Sequence, residues 1–535
     1  MKRHITSYWG WVLCYLLAAA LPLVSCYAKN YQVFSAKQLW TSAGVLFLAV
    51  GLFSVVYIGF SRGAARLVCR WLKRDALSSE ALFDVFVALG AAAVYVRLML
   101  YPLAFAMIRR IGLVPAAAGL VLLLLFALYA LIAWRAGWKG ASAILAVLIL
   151  WQGGVWVTTL RSNREGARAI QIPEAEREIY DTIRFHSTPN IYFMVLESYH
   201  GSDWLQTYYG FDNSAFTDEL SVLGFAVYSN AFANYYVTVQ SIHSLFSMNH
   251  HYNLQEAGNM DAHGFRPLLS GGEYNPVLSI LKNNGYRIDY LLADTYLYFP
   301  ELAKRHLDTL MIEESNPFHP LATLVWPHRF TDRKVPRYRE RLLEELFQDG
   351  ASESPRFVLM KAGVMHLMTP QWPLPSEAWK RTYVHFFEQE NPFLTRLCQA
   401  IQDHDPGAIV ILAGDHGAFV YSWGWWERTG NPNAFLKENG LNPQWVAQDN
   451  NDVFLAIKLD RPDAPPLPVR SHVNLFRELF YYLSGDSRLP ATRVADDAYS
   501  PRREGAIHRL IRDGQPLAEF ERVETVPDSP TPRTP

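Results

Sequence analysis

The chain has 535 residues, half of them hydrophobic, with 16 tryptophans and a formal net charge of −1. Its length points to more than one domain, and the near-neutral charge gives no basis for a nucleic-acid partner. Of the cysteines, Cys14, Cys26 and Cys69 lie in or beside apolar segments, so Cys398 stands alone in the remainder and no disulfide within it is expected.

The apolar residues are concentrated in the first third. Tyr8 to Tyr27, Trp40 to Phe60, Ala81 to about Met107, Ile111 to Trp134 and about Ala141 to Leu160 each have the length needed to cross a bilayer. Five spans are therefore expected, and residues 1–160 are read as a transmembrane domain. The first stretch follows Lys2 and Arg3 as a signal peptide would, but its length and the four stretches behind it make it a retained span. Lys2, Arg3, Arg62, Arg66, Arg70, Lys73, Arg74, Arg135 and Lys139 fall on one side of the membrane, against Lys29, Lys37, Arg109 and Arg110 on the other. The excess of positive charge marks the cytoplasmic side. An odd number of spans then puts everything after Leu160 in the periplasm or outside the cell.

Residues 161–188 are charged with amphipathic helical spacing and read as a juxtamembrane linker helix. From Pro189 short apolar runs alternate with helical stretches. Strands are expected at Ile191 to Leu196, Arg287 to Leu292, Phe357 to Val364, Ala408 to Ala413 and Val453 to Leu459, and helices at Asn275 to Asn284 and Trp379 to Asp403. This alternation predicts an α/β domain over residues 189–520 with a doubly wound, mostly parallel sheet. The proline-rich end, residues 521–535, is expected to be disordered.

In such sheets ligands gather outside the carboxyl ends of the strands. The run GAIVILAGDHGAF delivers Asp415 and His416 at one such end, NIYFMVLESYH delivers Glu197 at another, and FVLMKAGVMH delivers His366 just past a third. Carboxylate and imidazole groups together suit a divalent ion such as manganese or zinc. An ion held this way keeps a position for a nucleophile whose proton it makes easier to remove. Thr238, Ser241, Ser244 and Ser247 are the hydroxyl candidates, in ANYYVTVQSIHSLFSMNHH. A helix expected from about Val239 would put Thr238 at its N-terminus, where the dipole favours an anionic phosphoryl group. The same position also suits an ordinary helix cap.

The order Glu197, Thr-x-x-Ser from Thr238 to Ser241 with Phe246 and Ser247 behind it, His366, then Gly-Asp-His-Gly resembles the alkaline phosphatase and sulfatase superfamily. Within it the pattern is most similar to membrane-anchored lipoteichoic acid synthases and phosphoethanolamine transferases, which carry about five spans ahead of an extracytoplasmic sulfatase-like domain. The resemblance implies Thr238 as nucleophile, Glu197, Thr238, Asp415 and His416 as ligands of one metal ion, and His366 as a catalytic group on the phosphate side. It further implies a multi-pass protein of the bacterial inner membrane that moves a phosphoglycerol-type headgroup from a membrane phospholipid to an envelope glycan or lipid acceptor. Phosphoethanolamine transfer, or hydrolysis of a phosphate or sulfate ester, is the alternative chemistry. A catalytically silent lipid-binding regulator is the alternative outside catalysis, though such a relative is expected to lose ligands or nucleophile.

Overall fold

The computed structural model describes residues 2–30, 36–73, 76–95, 115–169, 174–250, 269, 275–293, 297, 307–312, 335–348, 354–362, 377–418, 431–500 and 507–523. They divide into two compact units, one within Met1–Arg161 and one beginning at Ser162.

The first unit consists of α1 (Lys2–Asn30), α2 (Ala36–Trp71), α3 (Ala76–Tyr95) and most of α4 (Pro115–Ala169). Gly137 breaks α4 with φ 61° and ψ −174°, a left-handed φ that glycine adopts without a Cβ penalty. Among the described residues three helical stretches are long and apolar enough to cross a membrane: Tyr8–Ser25, Trp40–Trp71 and Trp134–Thr158. The count is lower than the five expected. Of the remaining two, Ala81 to Met107 and Ile111 to Trp134 both run into residues outside the described set. Tyrosines fasten α1 and α2 to α3: Tyr15 donates to the Val87 carbonyl at 2.9 Å and Tyr57 to that of Phe86 at 2.9 Å.

The second unit is built on a seven-stranded sheet. Its strands are β1 (Ile191–Leu196), β2 (Ala226–Val227), β3 (Arg287–Leu292), β4 (Thr309–Ile312), β5 (Arg356–Ala362), β6 (Ile409–Gly414) and β7 (Leu455–Lys458), in the order β2-β7-β6-β1-β5-β3-β4. From β6 to β4 every pairing is parallel, and β7 and β2 close one side antiparallel. The expected mostly parallel sheet is therefore present. It gains two short strands, β2 and β4, whose few residues carry too little pattern to read.

β1 lies at the centre and all six of its residues are buried, as a strand covered on both faces requires. Ile191, Phe193 and Val195 face one core with α5 (Thr238–Ser247) and a later helix, Leu475–Ser484. Here Phe246 stacks on Phe476 with centroids 5.7 Å apart, and Phe193 leans on both rings. Tyr192, Met194 and Leu196 face the opposite core, filled by Tyr383, Phe387, Leu394 and Leu397 of α6 (Glu377–His404).

A small antiparallel sheet of β8 (Ala498–Tyr499), β9 (Ile507–Arg512) and β10 (Gln515–Val523) follows. Asp513 and Gly514, both at positive φ, make the two-residue turn that joins β9 to β10. β10 continues through Glu521, Arg522 and Val523, residues expected to begin the disordered tail. Ladder bonding to β9 at Ile507, His508 and Arg509 accounts for the longer strand.

Candidate active site

Adjacent rungs of three parallel strands set out the site. Leu196 at the end of β1 is in register with Gly414 of β6 on one side and Ala362 of β5 on the other. The residues at and just beyond that rung are Glu197, Asp415 and His416, with Lys361 one place before it. All are buried.

The chain leaves β1 through Ser198, a non-glycine residue in the left-handed region at φ 54°. This conformation is uncommon and persists where the surroundings hold it. Its N–H donates to Asp415 Oδ1 at 2.8 Å, and its carbonyl accepts from Tyr383 Oη at 2.7 Å. Asp415 Oδ1 also accepts from the N–H of His416 at 2.9 Å. One carboxylate oxygen thus clamps the two strand-end turns together, while Oδ2 is buried without a well-aligned donor among the described residues. Burial pushes the Asp415 carboxyl up, neighbouring His416 opposes that, and the charge of Glu197 adds to it.

His416 Nδ1 lies 2.7 Å from the carbonyl oxygen of Gly417. A carbonyl can only accept, so Nδ1 carries a proton, and in the neutral ring Nε2 presents a lone pair. That lone pair is 3.1 Å from Thr238 Oγ1 and 3.4 Å from Asp415 Oδ2. Thr238 has one hydroxyl proton for two neighbouring acceptors, the imidazole nitrogen and the aspartate. A divalent cation meets that shortage by accepting from all three atoms, and the donor set fits one.

Thr238 is the first residue of α5. The cap is Val237, whose backbone is extended and whose side chain makes no capping bond. The threonine hydroxyl is therefore turned to His416 instead of capping its own helix. Among the other hydroxyls, Ser244 and Ser247 donate to carbonyls within the helix at 2.7 Å and 3.2 Å. Ser241, one turn beyond Thr238, has a buried Oγ with no hydrogen-bond partner among the described residues.

Glu197 has a cationic neighbour. Lys361 Nζ lies 2.8 Å from Glu197 Oε2, and the lysine is completely buried. Among the described residues no three His, Cys, Asp or Glu side chains are grouped as a metal site by themselves. The structure brings Thr238, Asp415 and His416 together and places Glu197 beside them on an ammonium group. His366 lies outside the described residues.

A supporting layer escaped the sequence reading. His200 Nδ1 is 2.6 Å from Tyr383 Oη, and the Ala418 N–H donates to His200 Nε2 at 3.2 Å. Tyr383 already donates to Ser198, so the chain of bonds runs from Ala418 through His200 and Tyr383 to the turn that carries Glu197. Burial lowers His200 to a pKa of about 3, keeping it neutral. Gly417 is required here, because a Cβ on it would meet the Asp449 carbonyl and lie 2.6 Å from His200 Nε2. Asp452 receives the Gly201 N–H at 2.8 Å, and burial pushes its carboxyl up to about 7. His200 was visible next to LESY and Lys361 inside FVLMKAGV as a lone charge in an apolar run. Tyr383 is one aromatic among many in a long helix and carries no such signal.

No protein-family model matches this chain, and no curated protein matches it. Solved structures that resemble it include the zinc-bound C-terminal periplasmic domain of EptC from Escherichia coli, at 11% identity and a TM-score of 0.42, covering 62% of this chain and 95% of that one. A protein of the alkaline phosphatase superfamily from Vibrio parahaemolyticus aligns at 12% identity and a TM-score of 0.38, covering 68% of this chain and 90% of that one. The C-terminal periplasmic domain of the phosphoethanolamine transferase EptC from Campylobacter jejuni aligns at 14% identity and a TM-score of 0.34, covering 56% and 90%.

Proposed function

We propose that this chain is a membrane-anchored, metal-dependent transferase that moves a phosphoglycerol-type headgroup from a phospholipid to an envelope glycan or lipid acceptor, through a phosphothreonine at Thr238. The observation that carries the reading is the buried trio in which Thr238 Oγ1 stands 3.1 Å from His416 Nε2, itself 3.4 Å from Asp415 Oδ2. A nucleophile needs a neighbour that favours its deprotonated form, and this threonine is the hydroxyl directed at ligand-type atoms.

Asp415, His416 and Thr238 would hold the ion, with Glu197 completing the set. The ion, manganese or zinc, supplies a lowered hydroxyl pKa and charge neutralisation at the phosphoryl oxygens. Thr238 Oγ1 gives up its proton and forms the new bond to phosphorus as the bond to the diacylglycerol oxygen breaks, and the proton gained by that oxygen, which balances the one Thr238 loses, lets diacylglycerol leave as its alcohol. Thr238 is the first residue of α5, and the N-terminus of a helix, whose first N–H groups lack intrahelical partners, would favour the anionic headgroup phosphate there. An acceptor hydroxyl then attacks phosphorus and Thr238 is released. The positive-inside pattern and the apolar helices support a catalytic domain outside the cytoplasm, within reach of lipid headgroups.

Peptide mass spectrometry after brief incubation with phospholipid tests this. A glycerol phosphate adduct on Thr238 is expected. An ethanolamine phosphate adduct there would change the donor and keep the chemistry, and an adduct on Ser241 would refute Thr238 as nucleophile.

A further inference from the structure

The trio leaves Lys361 unexplained. It lies within β5 and is completely buried, and its register partner on β1 is Val195. Strand alternation puts it on the face where Phe357 and Leu359 pack with α5, the helix that starts at Thr238. An apolar residue would suit this position as well for stability, because a buried ion pair recovers little more than its own desolvation cost. Folding therefore does not account for the choice of lysine. Its geometry does something else: the ammonium contacts Glu197 Oε2 at 2.8 Å, on the first residue after β1. Lys361 sits on β5 and Glu197 directly follows β1, and these two central strands are joined by a continuous parallel ladder. Glu197 and Asp415 each follow the shared rung of Leu196 and Gly414, and the Asp415 N–H donates to the Leu196 carbonyl at 3.0 Å.

We propose that Lys361 is a positioning residue, whose ammonium fixes the Glu197 carboxylate beside Thr238, Asp415 and His416 so that a divalent cation meets an already oriented ligand. The inference rests on the reading of the trio as a cation site. Lys361 acts through Glu197 and touches neither ion nor substrate. Partners of this kind orient metal-binding groups from behind, and losing one weakens metal binding about ten- to hundredfold.

The test is a double-mutant cycle on the purified full-length protein in detergent, stripped of metal and titrated with manganese or zinc by calorimetry. Lys361→Met should weaken binding about ten- to hundredfold, and Lys361→Arg should recover part of the loss. In a Glu197→Gln background, Lys361→Met should cost nothing further. The double variant buries no unpaired charge, so it remains measurable if the lysine variant folds poorly. Unchanged affinity in Lys361→Met, or effects of the two substitutions that simply add, would overturn the positioning role while leaving the function standing. A wild-type protein that binds neither ion would remove the functional reading and this inference together.

Discussion

Thr238 Oγ1 lies 3.1 Å from His416 Nε2, although the two residues are 178 positions apart and belong to different elements. A threonine at the start of a helix is ordinarily accounted for by its own backbone, and here it is not.

Thr238→Ala is accordingly expected to fold, to retain metal through Asp415, His416 and Glu197, and to lose turnover by on the order of a thousandfold or more. Thr238→Ser keeps an attacking oxygen and should retain part of the activity. Steady-state assays on phospholipid vesicles measure both. Turnover by Thr238→Ala near the wild-type rate would exclude the hydroxyl as nucleophile.

Asp415 is expected to have two separable duties, because Oδ1 clamps Ser198 and His416 while Oδ2, 3.4 Å from His416 Nε2, would meet the proposed ion. Asp415→Asn can keep the clamp through its amide oxygen and loses the charge. Metal content should fall, with affinity reduced on the order of 100-fold, while the melting temperature of the metal-free protein changes little. Equal metal in wild type and Asp415→Asn would take this residue out of the site.

The burial of His200 gives the stability a pH dependence. Its pKa is about 3 in the folded chain against an ordinary value of 6.5, so the unfolded chain binds the extra proton between those values. Its contribution is fully present above pH 6.5, and declines as the pH falls through that window. His200→Gln does not titrate. Its thermal stability should fall less steeply than that of wild type between about pH 6.5 and 4, as read by melting curves over a pH series. Parallel curves for the two proteins would contradict a neutral buried His200.

Reporter fusions test the topology. Alkaline phosphatase joined after Ser187 should be active, and joined after Arg70 it should be silent. The reverse pattern would move the catalytic unit to the cytoplasm and remove phospholipid headgroups of the outer leaflet as donors.

Much of the sheet was legible because buried parallel strands are short apolar runs. The expected Ile191–Leu196 and Arg287–Leu292 coincide with β1 and β3, and β6 differs by one residue at each end. The strand ends then gave Glu197, Asp415 and His416. What could not be read was pairing between distant segments. That Lys361 meets Glu197 depends on β5 lying next to β1, and nothing local in either strand specifies its neighbour. His200 and Tyr383 escaped for the same reason, being bonded across 183 positions. The antiparallel β7 was expected as a strand, but direction is set by the connection that precedes it, and its sequence is no different from that of a parallel neighbour.

The shared rung at Leu196, Gly414 and Ala362 ties the candidate site to the middle of the sheet, where β1 is buried on both faces. A slip of one residue between β1 and β5 would turn Lys361 away from Glu197, and one between β1 and β6 would part Asp415 from Glu197. The centre therefore has no way to loosen by degrees. It is assembled whenever the middle of the sheet is, and it is dismantled only by an opening that costs the stability of the entire fold.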